Sequence, residues 1–449
     1  MSSTQKDKND IHENAKEYYG NTLKGTKDLK TNSCCCSEKP PKYIKFILYW
    51  KMSCCQKEKD SIHQITQDYY GETLKGTKDL KTNCCTCAEK PPKYILDAMK
   101  LLHEDIVSHY YGCGLVIPDL LEGLTCLDLG CGAGHDVYIL SKLVGEKGKV
   151  YGVDMTKEQL DLAEKYKEHQ AKVFGYSKSN VEFINGYIEK LIEIPDNSID
   201  LVVSNCVVNL SPNKKEVFSE AYRVLKPGGE MYFSDVYSDR RIPEKLLHDP
   251  VLHGECLSGA LYWNDFLSLV KQVGFKSPRL VKDRVITIEN EEIEKIVGFA
   301  KFNSATFRLF KIPDFDNTDG ENYGLKVCYK GTIKTCPDEF ILDKGHKYIK
   351  GTKYSVCGNT FRILKESRFN KHFDFEGNFD THYGIMPNCG IKMPFSSSGG
   401  ECCSGNKDKK EKEEKYDYRY EYYPQEYYIG YDPWNYNSYY SYGQPSYGY

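Results

Sequence analysis

Three cysteines stand where a thiol could do chemistry. Cys206 closes the run Val202-Val203-Ser204-Asn205 and is followed by Val207-Val208-Asn209-Leu210. Cys113 lies in Tyr110-Tyr111-Gly112-Cys113-Gly114, and Cys256 in Gly254-Glu255-Cys256-Leu257-Ser258-Gly259. The last two sit among glycines and polar residues, which suits an accessible thiol more than a buried one. A lone cysteine after a strand is most often a packing residue. Thiolates select soft, thiophilic centres, so three converging thiols would point to such a substrate. Distance along the chain does not show that they converge.

A second group of residues is arranged to hold a small molecule. Leu127-Asp128-Leu129-Gly130-Cys131-Gly132-Ala133-Gly134-His135-Asp136 reads as a strand end, a glycine turn and a helix start. Glycines at 130, 132 and 134 allow a tight turn and a close approach of ligand to backbone. His135 stands where a dinucleotide fingerprint requires its last glycine, so that motif is not met. An acid before the loop and G-x-G-x-G within it resemble motif I of class I S-adenosylmethionine-dependent methyltransferases. That cofactor has no phosphate, so the loop serves close approach rather than charge. Asp154 ends Val150-Tyr151-Gly152-Val153, where a carboxylate accepts ribose hydroxyls; alternatively it is a helix N-terminal acid ahead of Thr156. Gly186-Tyr187-Ile188-Glu189 follows the third strand, where such enzymes hold adenine. The resemblance assigns the cofactor to Asp128, Gly130, Gly132, Gly134, Asp136, Asp154, Met155, Gln159, Ile188, Glu189 and Asn205.

These residues need a scaffold, and the chain supplies an alternation of strand and helix. Strands are expected near 124–129, 149–153, 181–184, 199–204 and 229–235, with helices near 135–146, 156–173 and 213–225. Pro227-Gly228-Gly229 is expected to break the last helix and turn into the next strand. A helix near 263–273 and apolar stretches around 279–288 and 302–310 finish the sheet. The expectation is an α/β class I methyltransferase fold: a Rossmann-like, mostly parallel seven-stranded sheet with helices on both faces. Leu96 to Tyr110 reads as one amphipathic helix ahead of it. Residues 313–395, without a clean period, are expected to form a small α+β C-terminal domain. The tail, 396–449, is rich in tyrosine with few aliphatic residues and is expected to be disordered.

An internal repeat precedes the core. Tyr18-Tyr19-Gly20 through Lys42-Tyr43-Ile44 returns as Tyr69-Tyr70-Gly71 through Lys93-Tyr94-Ile95, displaced by 51 residues. Each copy carries a cysteine cluster, Cys34, Cys35, Cys36 in one and Cys84, Cys85, Cys87 in the other. Only the second copy runs into the core, so 61–312 is taken as the cofactor-binding domain with its substrate elements. The first copy, within 1–60, is expected to be poorly ordered, either an accessory duplicate or an artefact of the gene model.

A net charge of −3 with 28% charged residues excludes a broad basic field for nucleic acid or an anionic membrane. Met1 to Asp10 is polar, with no apolar run of the secretory kind. Nineteen cysteines without signs of secretion point to thiol chemistry in the cytoplasm rather than a disulfide scaffold. Among methyltransferases, amine enzymes of the Asn-Pro-Pro-Tyr type need a polar clamp absent here. Cytosine enzymes use a Pro-Cys nucleophile, whereas Cys206 follows Asn205.

Over roughly residues 61–312 the chain resembles arsenite methyltransferases. The carrying stretches include Leu80-Lys81-Thr82-Asn83, Tyr110 through Pro118, Leu143 through Gly148, Gly152-Val153-Asp154-Met155-Thr156, Val203 through Val207, Phe233-Ser234-Asp235-Val236-Tyr237, Gly254 through Leu257, Ala260-Leu261-Tyr262-Trp263 and Ser304 through Leu309. The resemblance implies arsenic-binding cysteines at Cys113, Cys206 and Cys256 and a redox cysteine at Cys85, with Cys84 and Cys87 as neighbouring alternatives. It implies S-adenosyl-L-methionine as cofactor, arsenite or its thiol conjugates as substrate, and thioredoxin or glutathione as reductant. A monomer is expected. Two other readings stand beside it: a carbon or oxygen methyltransferase of the sterol or quinone type, which has no use for the three thiols, and a thiol-rich arsenic- or zinc-binding protein without turnover. Neither cysteine cluster shows the separated Cys-x-x-Cys halves of a structural zinc site.

Overall fold

The computed structural model describes residues 60–70, 91–110, 112, 114–288, 290–386 and 394–395. The first repeat copy, both cysteine clusters with Cys85, Cys113, and the tail from 396 lie outside the described residues.

Helix α1 covers 60–70 and is followed by α2, Lys93–Met99, and α3, Glu104–Ser108. The single helix expected over Leu96 to Tyr110 is therefore two. His103 divides them: its backbone is extended, and its Nδ1 accepts the Asp105 N–H at 3.2 Å, capping α3.

The core alternates as expected: β1 Thr125–Leu129, α4 His135–Val144, β2 Lys149–Asp154, α5 Lys157–Lys165, α6 Lys167–Phe174, β3 Val181–Asn185, β4 Ile199–Asn205, α7 Lys214–Val224 and β5 Leu225–Ser238. The helix expected over 156–173 is broken at Tyr166 (φ −98°, ψ 2°), whose hydroxyl donates to the Asp105 carboxylate and ties α3 down. Pro227-Gly228-Gly229 does not separate helix from strand as expected. It forms a bulge inside β5, where Leu225 pairs with Ile199 but Glu230 with Leu201. After β5 come α8 Pro250–Gly254, β6 Leu261–Tyr262, α9 Trp263–Val273, β7 Arg279–Ile286, α10 Glu291–Val297 and β8 Phe302–Phe310.

Seven strands run in the order β3-β2-β1-β4-β5-β8-β7, and the two-residue β6 pairs with the end of β5. From β3 to β5 all neighbours are parallel; β8 and β7 are antiparallel additions. Every residue of β8 is buried, including the polar Asn303, Ser304, Thr306 and Arg308. The strand order reverses between β1 and β4, which opens a crevice at their carboxyl ends.

The C-terminal part adds β9 Lys326–Tyr329, β10 Glu339–Asp343, β11 His346–Ile349, β12 Lys353–Ser355, α11 Gly358–Glu366 and β13 Phe373–Glu376. A β12-β9-β13 sheet and a β10-β11 hairpin enclose Phe340, Tyr348, Phe361, Phe369 and Phe373. Arg368 of this part donates to the buried Glu230 carboxylate of β5, which Arg308 of β8 also approaches at 3.5 Å. A buried charge group of this kind is costly to break from one side, which fixes the C-terminal part against the sheet.

Candidate active site

The crevice between β1 and β4 is a cleft of about 940 Å³. It is lined by Asp128, Gly130, Gly132, Asp136, Asp154, Met155, Gln159, Ile188, Glu189, Asn205 and Cys206. Ten of the eleven residues expected at the cofactor thus share one space. Gly134 is the exception. It is the N-cap of α4 at φ +85°, backed by Phe183, Tyr138 and Ala163, so its glycine character serves the turn and close packing behind the cleft.

The glycine loop is held by Asp154, whose Oδ2 accepts the Gly132 N–H and whose Oδ1 accepts the Thr156 N–H, both at 2.8 Å. This carboxylate therefore ties the glycine loop to the turn before α5 and borders the cleft. Asp128 is buried, and its pKa is raised well above the usual carboxylate range by burial and then by the charges of Asp136 and Asp154. Carboxylates crowded in this way are relieved by a bound cation. Gln159 donates Nε2 to Tyr70 O at 3.1 Å, while its buried Oε1 has no hydrogen-bond partner. A ligand that carries positive charge and hydrogen-bond donors, as S-adenosylmethionine does, fits that donor set. Glu189 Oε1 is shared by His63 Nε2 at 3.1 Å and Ser211 Oγ at 2.5 Å. The Asn205 amide nitrogen lies within 3.1 Å of the Tyr110 hydroxyl, Gly114 O and Asp136 Oδ2, and its oxygen accepts the Gly114 N–H. The glycine on the C-terminal side of Cys113 is thereby pinned to the residue before Cys206.

Cys206 and Cys256 meet. Their sulfurs and a carboxylate oxygen of Asp235 all lie within 4.8 Å of one another, and Cys256 Sγ donates to Cys206 O at 3.3 Å. Cys206 lines the cleft and Cys256 lies behind it. The accessible setting expected for Cys256 is not found: it is fully buried, and Cys206 is only 2% exposed, packed with Leu210, Val236, Leu252 and Leu257. Their local glycines and polar residues shape a loop that folds inward. Cys206 is disulfide-bonded. Cys131 also borders the cleft, but burial followed by the charges of Asp154 and Asp128 drives its thiol pKa far up, which keeps it protonated and inert.

Both meeting cysteines are strained. Cys206 has φ +57° and Cys256 φ +60°, two of five non-glycine residues with positive φ among the described residues. Such conformations cost about 1–3 kcal/mol each and persist where the surroundings over-determine them, often at functional sites. A stability prediction follows from the geometry. Glycine normally destabilises relative to alanine, but in the left-handed region alanine carries about 1–2 kcal/mol of strain that glycine avoids. Cys256→Gly is therefore expected to melt at or above the temperature of Cys256→Ala. A clearly lower melting temperature for the glycine variant would contradict the strained geometry.

Sequence reasoning missed Asp235. It sits in the buried run Phe233-Ser234-Asp235-Val236-Tyr237, and a carboxylate inside a buried strand was the available signal. Burial raises its pKa to about 7, opposed by the N–H groups of Val236 and Asn209 and by Lys214. Lys214 is itself lowered to about 8 by burial, with Asp235, Glu189 and Cys256 pulling the other way.

A family model described as a methyltransferase domain matches residues 120–274, and one described as the arsenite methyltransferase C-terminal domain matches 322–410. An arsenite methyltransferase from Aquipseudomonas alcaligenes is 47% identical over 349 residues, covering 76% of this chain and all of that protein. The arsenite methyltransferase of Homo sapiens is 49% identical over 315 residues, 70% of this chain and 83% of that one. Among solved structures, an arsenic(III) S-adenosylmethionine methyltransferase from Chlamydomonas reinhardtii is 47% identical with a TM-score of 0.64, covering 66% of this chain and 99% of that one. With this cleft, these thiols and relatives matched along nearly their full lengths, the chain belongs to the S-adenosylmethionine-dependent arsenite methyltransferase family.

Proposed function

We propose that Cys206 and Cys256, together with Cys113, hold trivalent arsenic as thiolates at the edge of the cofactor cleft. The observation that supports this most is the meeting of Cys206 and Cys256, 50 residues apart, behind the carboxyl end of β4. Bound S-adenosylmethionine supplies an electrophilic methyl group on a sulfonium. Asp128, Asp136 and Asp154 favour its positive charge, the glycine loop admits it to the backbone, and Gln159 Oε1 and Asp154 accept its donors. Asn205 holds Gly114 and Asp136 in one arrangement beside Cys206. Water is excluded by the apolar packing around Cys206 and Cys256.

The arsenic lone pair attacks the methyl carbon in line. A carbon–arsenic bond forms as the carbon–sulfur bond of the sulfonium breaks, and arsenic passes formally from trivalent to pentavalent. No general base is required, because the nucleophile has no proton to lose, so the chain's contribution is thiolate ligation and positioning. Two cysteine thiolates then return two electrons to arsenic and join as a disulfide that includes Cys85 or its neighbour Cys84 or Cys87. Thioredoxin or glutathione reduces that disulfide. The same reductant opens the disulfide at Cys206 and frees its thiolate. Such an enzyme works in a reducing compartment, the cytosol, and as a monomer, since one chain supplies the whole cleft. No helix among the described residues is long and apolar enough to cross a membrane.

A single-turnover experiment tests the redox half. Fully reduced enzyme given arsenite and S-adenosylmethionine, with no reductant, is expected to form methylated arsenic in a burst limited by its own thiols and then stop. Added thioredoxin or glutathione restores turnover. Steady turnover without any reductant contradicts the disulfide step, and no methylated arsenic under any of these conditions contradicts the ligation scheme as well.

A further inference from the structure

Three consecutive residues ahead of Cys256 are each held by helix α1. Thr66 Oγ1 bonds His253 Nε2 at 3.1 Å, the Tyr70 hydroxyl donates to Gly254 O at 2.8 Å, and the Tyr69 hydroxyl donates to Glu255 Oε1 at 2.9 Å. The fit leaves no room at Gly254, where a β-carbon would fall 2.4 Å from the Tyr69 ring. Burial, then the charge of Lys214, lowers the His253 pKa to about 4, so Thr66 meets a neutral ring, which also bonds the backbone of Leu210 beyond Cys206. Glu255 and Cys256 are fully buried, and Cys256 is held at φ +60°. A strained residue persists only where its surroundings over-determine it, and α1 supplies that constraint from outside the loop.

The same helix borders the cofactor. His63, Thr66 and Tyr70 stand at i, i+3 and i+7, so they share one face, and all three line the cleft. His63 Nε2 bonds Glu189 Oε1 at 3.1 Å, and its ring stacks on Tyr187 with centres 4.5 Å apart. Gln67 donates to Met155 O at 3.0 Å, and Gln159 donates to Tyr70 O at 3.1 Å. Met155, Gln159 and Glu189 belong to the cofactor cleft, whereas His253 to Glu255 lead into the thiol. Within about two helical turns, α1 therefore bonds both sides of the site.

We propose that Tyr69 is a positioning residue for Cys256 and that α1 couples the two halves of the site, so that filling the cofactor cleft fixes the thiol loop. The consequence for arsenic rests on its ligation by Cys256, as proposed above. A cofactor seated against His63, Thr66 and Tyr70 restricts the helix, and the loop that α1 holds is restricted with it. A second ligand that needs the loop ordered then binds a chain already ordered. Linkage makes the effect reciprocal: arsenic on the thiols tightens the cofactor by the same factor as the cofactor tightens arsenic. The coupling keeps the arsenic lone pair and the sulfonium methyl aligned, as in-line transfer requires. The Tyr69 hydroxyl is the link that is removed most cleanly, since phenylalanine keeps the ring against Gly254 and loses the donor to Glu255.

The test uses the reduced full chain and saturating sinefungin, a cofactor analogue with an amine in place of the sulfonium methyl. Hydrogen exchange is read first, with no arsenic present. In the parent, sinefungin is expected to slow exchange of the 253–257 amides by at least about fivefold, the low end of ordinary coupling. In Tyr69→Phe the slowing is expected to fall below about twofold, while Glu255→Gln, whose amide oxygen still accepts the hydroxyl, keeps it. A merely structural role for Tyr69 would speed exchange equally with and without sinefungin and leave the ratio intact. That result, or no slowing in the parent, overturns the proposal. Should Tyr69→Phe fail to fold, Thr66→Val carries the same expectation through the His253 bond. Calorimetry then adds arsenite. Excess arsenite is expected to tighten sinefungin by at least about fivefold in the parent and by less than about twofold in Tyr69→Phe. Slowed exchange without this tightening would leave the coupling through α1 standing and contradict arsenic ligation by Cys256. Tightening that Tyr69→Phe retains in full overturns the role of Tyr69.

Discussion

Cys206→Ser is expected to lower arsenite methylation by at least about a hundredfold, the cost of misplacing a reacting atom by about 1 Å, while S-adenosylmethionine still binds. The oxygen of serine is hard and does not replace a thiolate toward a soft centre. The substitution is nearly isosteric, so the packing around Leu210, Val236 and Leu257 survives and the loss is chemical. Calorimetry for the cofactor and separation of arsenic species for turnover read the two effects apart. A variant that keeps its rate removes Cys206 from the mechanism; one that loses cofactor binding as well makes the residue structural.

Gly130→Ala is expected to abolish cofactor binding and to destabilise the fold by about 2–4 kcal/mol, adding left-handed strain to overpacking. Its φ is +72°, and a β-carbon would fall 2.4 Å from Val207 Cγ1 and 2.5 Å from Cγ2. Val207 follows Cys206 directly, so the clash is transmitted to the thiol as well as to the loop. Denaturant unfolding and calorimetry measure the two consequences. Normal binding with native stability would show that the loop has room it does not have in this structure.

The fold was legible wherever the hydrophobic period was long and uninterrupted. The strands β1 to β5 and the helices between them fall within a few residues of expectation because each is a short apolar run or an amphipathic face bounded by glycine or a capping residue. The misses have local causes. His103 accepts an N–H from Asp105 and splits a helix that periodicity alone continues, and Pro227-Gly228-Gly229 makes a bulge because Glu230 on its far side pairs with Leu201.

The candidate site was legible in part. Asp128, Gly130, Gly132 and Asp154 carry a motif whose spacing fixes their position relative to one loop. The meeting of Cys206 and Cys256 does not follow from spacing, because it depends on the chain leaving β5, forming α8 and returning with Cys256 at φ +60°. Burial was misjudged for the same reason: glycines around a cysteine indicate a flexible local chain, not which way it turns. Asp235 was passed over because nothing in its own strand says that a carboxylate will come within 4.8 Å of two sulfurs.

Arsenic K-edge X-ray absorption on the reduced full chain, loaded with arsenite and lacking S-adenosylmethionine, tests thiolate ligation most directly. The account predicts arsenic bound by sulfur alone in the parent chain, and mixed sulfur and oxygen coordination in Cys206→Ser and Cys256→Ser. An oxygen-only environment in the parent, or sulfur-only coordination that both variants leave unchanged, would contradict it.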